Sequence, residues 1–313
     1  MLNKRFTARL WRQRYLLLMS FPFVIWVLAF AYLPLFGWAM AFQDFRLGRE
    51  PILQTFLNAP SVGLKHFETI WRELTQGGRL YSAFKNTLAM GFLTATIGFA
   101  VPVIFAVLLN ELRSKRLGRI TQTVAYLPHF ISWVAAAGMV YAMLASGGPV
   151  NVLLARLGLS DGGTAFMGEA KMFLGIFIIS DIWKNMGWNS VIFLAAIAGV
   201  NPELYAAAAV DGAGRFRRIL HITLPCIAPV VIVVFILNAG LILDVGFERQ
   251  LLLGNSATRS ASEVLDTYIL RYGIGMQRYS LGAAIGMVRS VAAVILVLAA
   301  NAFAGKFGKA GIV

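Results

Sequence analysis

Residues 199–225 read GVNPELYAAAAVDGAGRFRRILHITLP. Asn201 and Pro202 form a turn and a helix start, because the fixed φ of proline suits the first helical position. Residues 203–210 are strong helix formers. Gly212 and Gly214 then break the helix, and a basic helix with Arg215, Arg217 and Arg218 follows. Pro225 precedes the next apolar run. The stretch predicts a short helix, a tight glycine turn and a second helix at a membrane surface. Its alanine face would let another backbone come close. The plainer reading of the same residues is an interfacial connector.

The flanks of this stretch decide the fold. A bilayer core is crossed by about 20 apolar helical residues. The runs at about 171–198 and 226–247 are long enough, and so are four others at about 16–42, 84–110, 120–145 and 280–303. The expectation is an all-α, polytopic membrane protein with six transmembrane helices. Composition agrees: the 313 residues are 58% hydrophobic and 13% charged, with a mean hydropathy of +0.72. Soluble chains are about 45–50% apolar and about 25% charged, so a soluble enzyme, a disordered chain and a disulfide scaffold are poor readings. The first run follows Lys4, Arg5, Arg9, Arg12 and Arg14. It is too long for a cleaved signal peptide and lacks a small-residue cleavage site, so it reads as a retained first span. Kinks are expected near Pro22, Pro34, Pro102 and Pro128, since proline removes a backbone donor and clashes with the preceding turn. Gly282 and Gly286 form a small-xxx-small pair in the last run, suited to close packing within the chain or to a subunit contact.

Net charge is +14. In so apolar a chain, basic loops suit lipid headgroups and the positive-inside rule, and no nucleic-acid partner is expected. If the N-terminus is cytoplasmic, the inner segments hold fourteen basic residues over about 61 positions and the outer ones ten over about 98. That asymmetry places both ends in the cytoplasm. The single cysteine, Cys226, and three scattered histidines, His66, His129 and His221, offer no metal site. GxxxxGK[ST], HExxH and GxSxG are absent, so the chain has no nucleotide-cradling loop and no recognisable catalytic set. Energy for any driven work would come from elsewhere. A self-contained ion-coupled carrier is the alternative; such carriers often carry repeated halves, and no repeat is visible here.

The spacing in 203–225 resembles the EAA loop of ABC importer permeases, EAA-x3-G-x9-I-x-LP. Ala207 and Ala208 stand at the two alanines, Gly212 at the glycine, and Ile222, Leu224 and Pro225 close the motif. The motif's glutamate position is Ala206, and Glu203, one turn earlier, is a conjectural substitute. Asp211, Gly212 and Ala213 resemble the carbohydrate-importer branch. Residues 126–133 (YLPHFISW), 147–151 (GGPVN), 187–190 (GWNS) and 245–248 (VGFE) resemble permeases for alginate- and aldouronate-type oligosaccharides. The resemblance implies a type I ABC importer permease fold as one transmembrane domain over 1–313, in a bacterial cytoplasmic (inner) membrane. It implies that 203–214 is a coupling helix, with Glu203, Tyr205, Ala206, Ala207, Ala208, Asp211, Gly212, Ala213 and Arg215 facing an ATPase subunit. The implied partners are a second homologous permease, an ATPase dimer, a periplasmic or lipid-anchored substrate-binding protein, membrane lipid and an oligosaccharide, acidic by resemblance. ATP and Mg would sit on the ATPase, with no cofactor in this chain.

Charges inside spans are expensive and mark functional candidates. Asp181, Lys184, Asn185, Trp188 and Asn189 recur at steps of 3 and 4, on one helical face. Such a stripe faces the bundle interior or a water-filled path. As a path lining, its amides and charges would bond sugar hydroxyls, Trp188 would stack on a sugar ring, and Lys184 would attract a uronate carboxylate. As plain structure, Asp181 and Lys184 would pair and Trp188 would pack. Asn238 and Asp244 are weaker candidates in the fifth span, six residues apart and so on different faces. Arg289 would pair with Asp181 or Asp244, or snorkel outward. His129 reads as a satisfied core histidine. The mixed charges of 43–83 and 248–279 suit a rim for a binding protein, or simply a solvated loop.

Overall fold

The structure, a computed structural model, describes residues 13–306. Most of the basic residues assigned to the two ends, namely Lys4, Arg5, Arg9, Arg12 and Lys309, lie outside them. The described chain is helical throughout, and its only β-type pairing is an isolated bridge between Gln43 and Ser61. Among the described residues, five helices are long and apolar enough to cross a membrane: Arg14–Phe42, Arg79–Asn110, Trp133–Arg156, Arg215–Ala239 and Tyr279–Phe303. The sixth is Ala170–Ala198, which bends by 69° into Pro202–Val210.

Two of the expected spans change shape. The run at 120–145 is not one helix. Lys115–Tyr126 ends in a tight turn at Leu127–Phe130, and a new helix starts at Trp133, capped by Ser132, whose Oγ accepts the Ala135 N–H at 3.2 Å. The cause is Pro128, which cannot donate into the helix and crowds the turn before it. The fifth span begins eleven residues early, at Arg215, and ends at Ala239. Turns carry the chain from Gly240 through Asp244, with Leu241 N–H on Asn238 O and Asp244 N–H on Leu241 O, each at 2.9 Å. Asp244 therefore lies beyond the fifth span, not within it.

The other prolines act on the turns before them. Widened π-turns occupy Leu28–Tyr32, Thr94–Gly98 and Ile219–Thr223, just ahead of Pro34, Pro102 and Pro225. A π-turn moves the carbonyl that the proline ring would strike, so the helix continues across the defect. Pro22 is carried inside Arg14–Val27.

The chain divides into two compact units: residues up to Trp71 with Tyr272–Met287, and Arg72–Arg271 with the residues from Val288 onward. In the second unit, Ala170–Ala198 is the central helix. Phe173, Phe177 and Ile178 at one end pack with Met90, Ala137, Val245, Leu253 and Val264. Phe193 and Ile197 at the other end pack with Ala106, Val107 and Ile227. In lipid such packing draws on van der Waals fit and small residues rather than on water exclusion. Gly187 supplies the smallest contact: a Cβ there would collide with the Ala125 carbonyl, so the Lys115–Tyr126 helix lies directly against the backbone of this one. Between the two apolar clusters the same helix buries Ser180, Asp181, Lys184 and Ser190. In the first unit, a Cβ on Gly286 would meet no atom within 4 Å, so Gly286 makes no close packing contact among the described residues.

Candidate functional site

Two regions of the second unit gather the residues singled out in the sequence. The first is the polar face of Ala170–Ala198. Asp181 Oδ1 takes Nη1 of Arg249 at 2.6 Å, with both side chains largely buried, and Nδ2 of Asn185 at 2.8 Å. Asn185 Oδ1 lies 3.1 Å from His129 Nδ1. The His129 ring stacks on Trp188, with centroids 4.7 Å apart and planes within 2°. The Arg249 guanidinium also bonds the Val245 carbonyl at 3.0 Å and lies 4.6 Å from the centre of the Phe177 ring. The result is one connected chain of polar groups, Arg249–Asp181–Asn185–His129, with a stacked indole at its end. Buried charges persist where they are paired and hydrogen-bonded, and Asp181 meets both conditions.

Two cavities open along this face. One of about 440 Å³ is lined by Asp181, Trp188, Asn189 and Asn238, and one of about 800 Å³ by Asp181, Asn185, Asn189, Asp244, Glu248 and Arg249. Thr94 lines both, and its buried Oγ1 has no hydrogen-bond partner. It sits at the start of the π-turn before Pro102, a kind of defect found often at functional sites. The charged wall of the larger cavity is acidic, with three carboxylates against one guanidinium.

Lys184 departs from its expected place. It is 5% exposed, lines neither cavity and does not pair with Asp181. Its Nζ donates to the His129 carbonyl at 2.7 Å and lies 5.4 Å from the Trp133 ring centre. The carbonyl is free to accept because Pro128 ended the preceding helix, so the lysine closes an orphaned backbone group. Asp181 takes its cation instead from Arg249, which the sequence placed on an outer loop. Arg289 pairs with Asp266 and lies 3.8 Å from Asp244, not with Asp181. Burial pushes the Asp266 carboxyl above its usual range, against the pull of Arg289. His129 is satisfied, but within the polar chain rather than in an apolar core.

The second region is the stretch after Ala198. Asn201 Oδ1 accepts the Glu203 N–H at 3.0 Å and caps Pro202–Val210, with proline at the first helical position. The helix ends in a Schellman turn: Ala213 N–H reaches Ala208 O at 2.8 Å and Gly212 N–H reaches Ala209 O at 3.2 Å. Gly212 takes φ +71, a region costly to residues with a Cβ. The Tyr205 hydroxyl lies 3.0 Å from Thr223 Oγ1 and ties the short helix to the next span. Ala206, Ala207, Asp211 and Arg215 are exposed, Ala208 and Ala213 half-buried. Val210 is 89% exposed and Phe216 73%, so apolar side chains flank the turn on both sides. The Glu203 carboxylate is held locally, accepting from Asn201 Nδ2 at 3.3 Å.

With the fold and these two regions described, the chain can be set beside known proteins. Residues 98–308 match the family of binding-protein-dependent transport system inner membrane components. The chain belongs to this family. It is a multi-pass inner membrane permease of the ABC type, not a member of a catalytic family. The permease is 39% identical over 311 residues to the polygalacturonan/rhamnogalacturonan transport system permease YteP of Bacillus subtilis (strain 168), covering 99% of this chain and 94% of that one. It is 37% identical over 306 residues to LplB of the same organism, covering 97% and 93%. It superposes with a TM-score of 0.87, at 37% identity, on a chain of a bacterial alginate ABC transporter solved in complex with an alginate pentasaccharide-bound periplasmic protein, covering 99% of the permease and all of that chain. The permease therefore has the type I importer fold. Among its described residues no group of three or more acidic, histidine or cysteine side chains is placed to hold a metal.

Sequence spacing singled out Asp181, Asn185, Trp188 and Asn189, and in the permease these line the cavities. It missed Thr94 and the pairing role of Arg249. An arginine close after an apolar run is the only trace of the latter in the sequence.

Proposed function

We propose that the permease moves uronate-bearing oligosaccharides into the cytoplasm by alternating access, driven by a separate ATPase. The observation that carries this reading is the exposed stretch of residues 203–214, the helix Pro202–Val210 and the turn closed by Gly212, with Val210 and Phe216 on either side of the turn. Most of the side chains of this knuckle, Val210 above all, and Phe216 beside it are left exposed by the described residues. In this reading Glu203, Tyr205, Ala206, Ala207, Ala208, Asp211, Gly212, Ala213 and Arg215 seat in a groove of the ATPase, which holds ATP and Mg. A second homologous permease completes the pathway, a periplasmic or lipid-anchored binding protein delivers the sugar, and both termini lie in the cytoplasm. Asp181, Asn185, Trp188, Asn189, Asn238 and Asp244 form this subunit's share of the path. Amides and carboxylates bond sugar hydroxyls there, and the Trp188–His129 stack offers a flat face to a ring. Lys184 lines neither cavity and acts from behind, by holding the His129 turn. The acidic sugar is supported by the polygalacturonan and alginate transporters among the relatives.

The test is to purify the tagged chain in mild detergent. An ATPase and a second permease are expected with it in stoichiometric amounts; a lone chain that transports in liposomes without ATP would overturn the reading. In a Cys226→Ser background, Gly212→Cys should react with an impermeant maleimide only from the cytoplasmic side.

A further inference from the structure

The first unit holds a cavity of about 650 Å³ that the transport pathway does not use. Its floor is apolar and buried, formed by Phe45 and Leu281, with Ser280 Oγ accepting the Phe45 N–H at 2.9 Å. Its rim is cationic, with Arg46, Lys65 and Arg278 against a single carboxylate, Asp44. Arg46 satisfies that carboxylate with two bonds, Nε to Oδ1 at 3.3 Å and Nη2 to Oδ2 at 3.1 Å. Lys65 and Arg278 are left exposed, with no carboxylate within ion-pair distance among the described residues. Beside Arg278, Gln277 takes φ +57, and it is the only described residue other than glycine with positive φ. Non-glycine residues rarely adopt that conformation unless their surroundings enforce it.

The three cations come from segments far apart in sequence, 43–83 and 248–279. In the proposed topology both face outward, where the positive-inside rule disfavours lysine and arginine. A cationic excess there, with Lys65 and Arg278 unpaired beside the Arg46–Asp44 pair, over an apolar floor and within the volume range of about 300–1,000 Å³ typical of small-molecule pockets, is the chemistry of a carboxylate-bearing small ligand. The larger membrane cavity has the opposite character, with three carboxylates and one guanidinium on its wall. It offers hydroxyl groups good partners and offers a uronate carboxylate little.

We propose that the cavity ringed by Arg46, Lys65 and Arg278 is a binding site for the carboxylate of a uronic-acid residue, so that this subunit reads the acidity of the sugar at its outer loops. Arg278 would take the carboxylate side-on through two N–H groups and Lys65 would add a point charge, while the sugar's apolar face rests on the floor. The inference builds on the acidic-oligosaccharide reading above.

The test combines binding and uptake. The full chain in lipid nanodiscs is titrated with trigalacturonate and with its carboxyl-reduced, neutral counterpart. Wild type is expected to bind the acid and not the neutral sugar, more weakly as salt screens the charges. Lys65→Gln with Arg278→Gln should weaken binding at least tenfold, and Arg278→Lys should weaken it less, because it keeps the charge but loses the paired N–H groups. Equal affinity in the double variant, or equal binding of the neutral sugar, would overturn the site. Uptake by cells carrying the intact transporter separates the two ideas. Wild-type cells that import the neutral but not the acidic trisaccharide would refute the acidic reading, and this site with it. Wild-type import of the acid, with an unchanged half-saturating concentration in the double variant, would refute the site alone. So would equal loss of acidic and neutral uptake, which would mark the cations as contacts for the binding protein.

Discussion

The knuckle at Gly212 and the polar wall at Asp181 are each built from a handful of residues, yet they are held in opposite ways. The bonds that cap the knuckle at its two ends close over two to five residues, Asn201 to Glu203, Gly212 to Ala209 and Ala213 to Ala208, and Tyr205 to Thr223 adds one over 18. The bonds that shape the wall join residues 55 to 68 positions apart: Lys184 to His129, Asn185 to His129, Asp181 to Arg249. The knuckle is exposed, and solvent can replace a lost contact. At Asp181 and Lys184 the wall is buried, and solvent does not replace a lost contact there. The docking role proposed for the knuckle is served by geometry that is almost wholly local. A part that must keep charge inside a bilayer needs partners drawn from the whole fold.

Substitutions in the wall and in the knuckle test this difference. Asp181→Ala leaves Arg249 as an unpaired buried charge, and removing one partner of a buried pair costs about 3–5 kcal/mol. The detergent-solubilised protein should melt markedly earlier, and Asp181→Leu with Arg249→Met should recover much of the loss. Single losses that simply add in that double-mutant cycle would mean the wall is not one network. Lys184→Met removes a charged hydrogen bond worth about 1.5–3 kcal/mol and loosens the His129 turn. Because the lysine lines no cavity, acidic and neutral uptake should fall together; selective loss of acidic uptake would return Lys184 to the path.

Gly212→Val places a β-branched side chain at φ +71, where the left-handed conformation costs about 1–2 kcal/mol. Thermal stability should change less than for Asp181→Ala, while uptake collapses and ATP hydrolysis loses its dependence on sugar. Normal uptake would remove the docking role. Asn201→Ala deletes a cap worth about 1 kcal/mol. Hydrogen exchange should quicken only in the amides of Pro202–Val210, and spread into Ala170–Ala198 would show that the knuckle is not self-contained.

The knuckle was legible because its determinants sit within one window: asparagine and proline at the start, alanines within, glycine at the end. The six apolar runs were legible because hydropathy is a property of composition. The run at 226–247 failed for the same reason. Residues 240–247 read GLILDVGF, as apolar as a helix, and only the turns after Ala239 show that the span has ended. The stripe of Asp181, Asn185, Trp188 and Asn189 was visible as helical spacing, but the partner of Asp181 was not. Lys184 stands one turn away in sequence, while Arg249 arrives from another segment, and no window contains both.

Sequence alone determined that the chain spans a membrane, that it turns at Gly212, and which face of the fourth span is polar, since each depends on residue type and short spacing. Tertiary structure decided which cation neutralises Asp181, that Lys184 holds a backbone carbonyl, where the fifth span stops, and that Arg46, Lys65 and Arg278 ring one cavity. Those outcomes depend on which distant helix faces and loops meet, and that is settled by packing and by the need to pair every buried charge, not by any stretch of neighbouring residues.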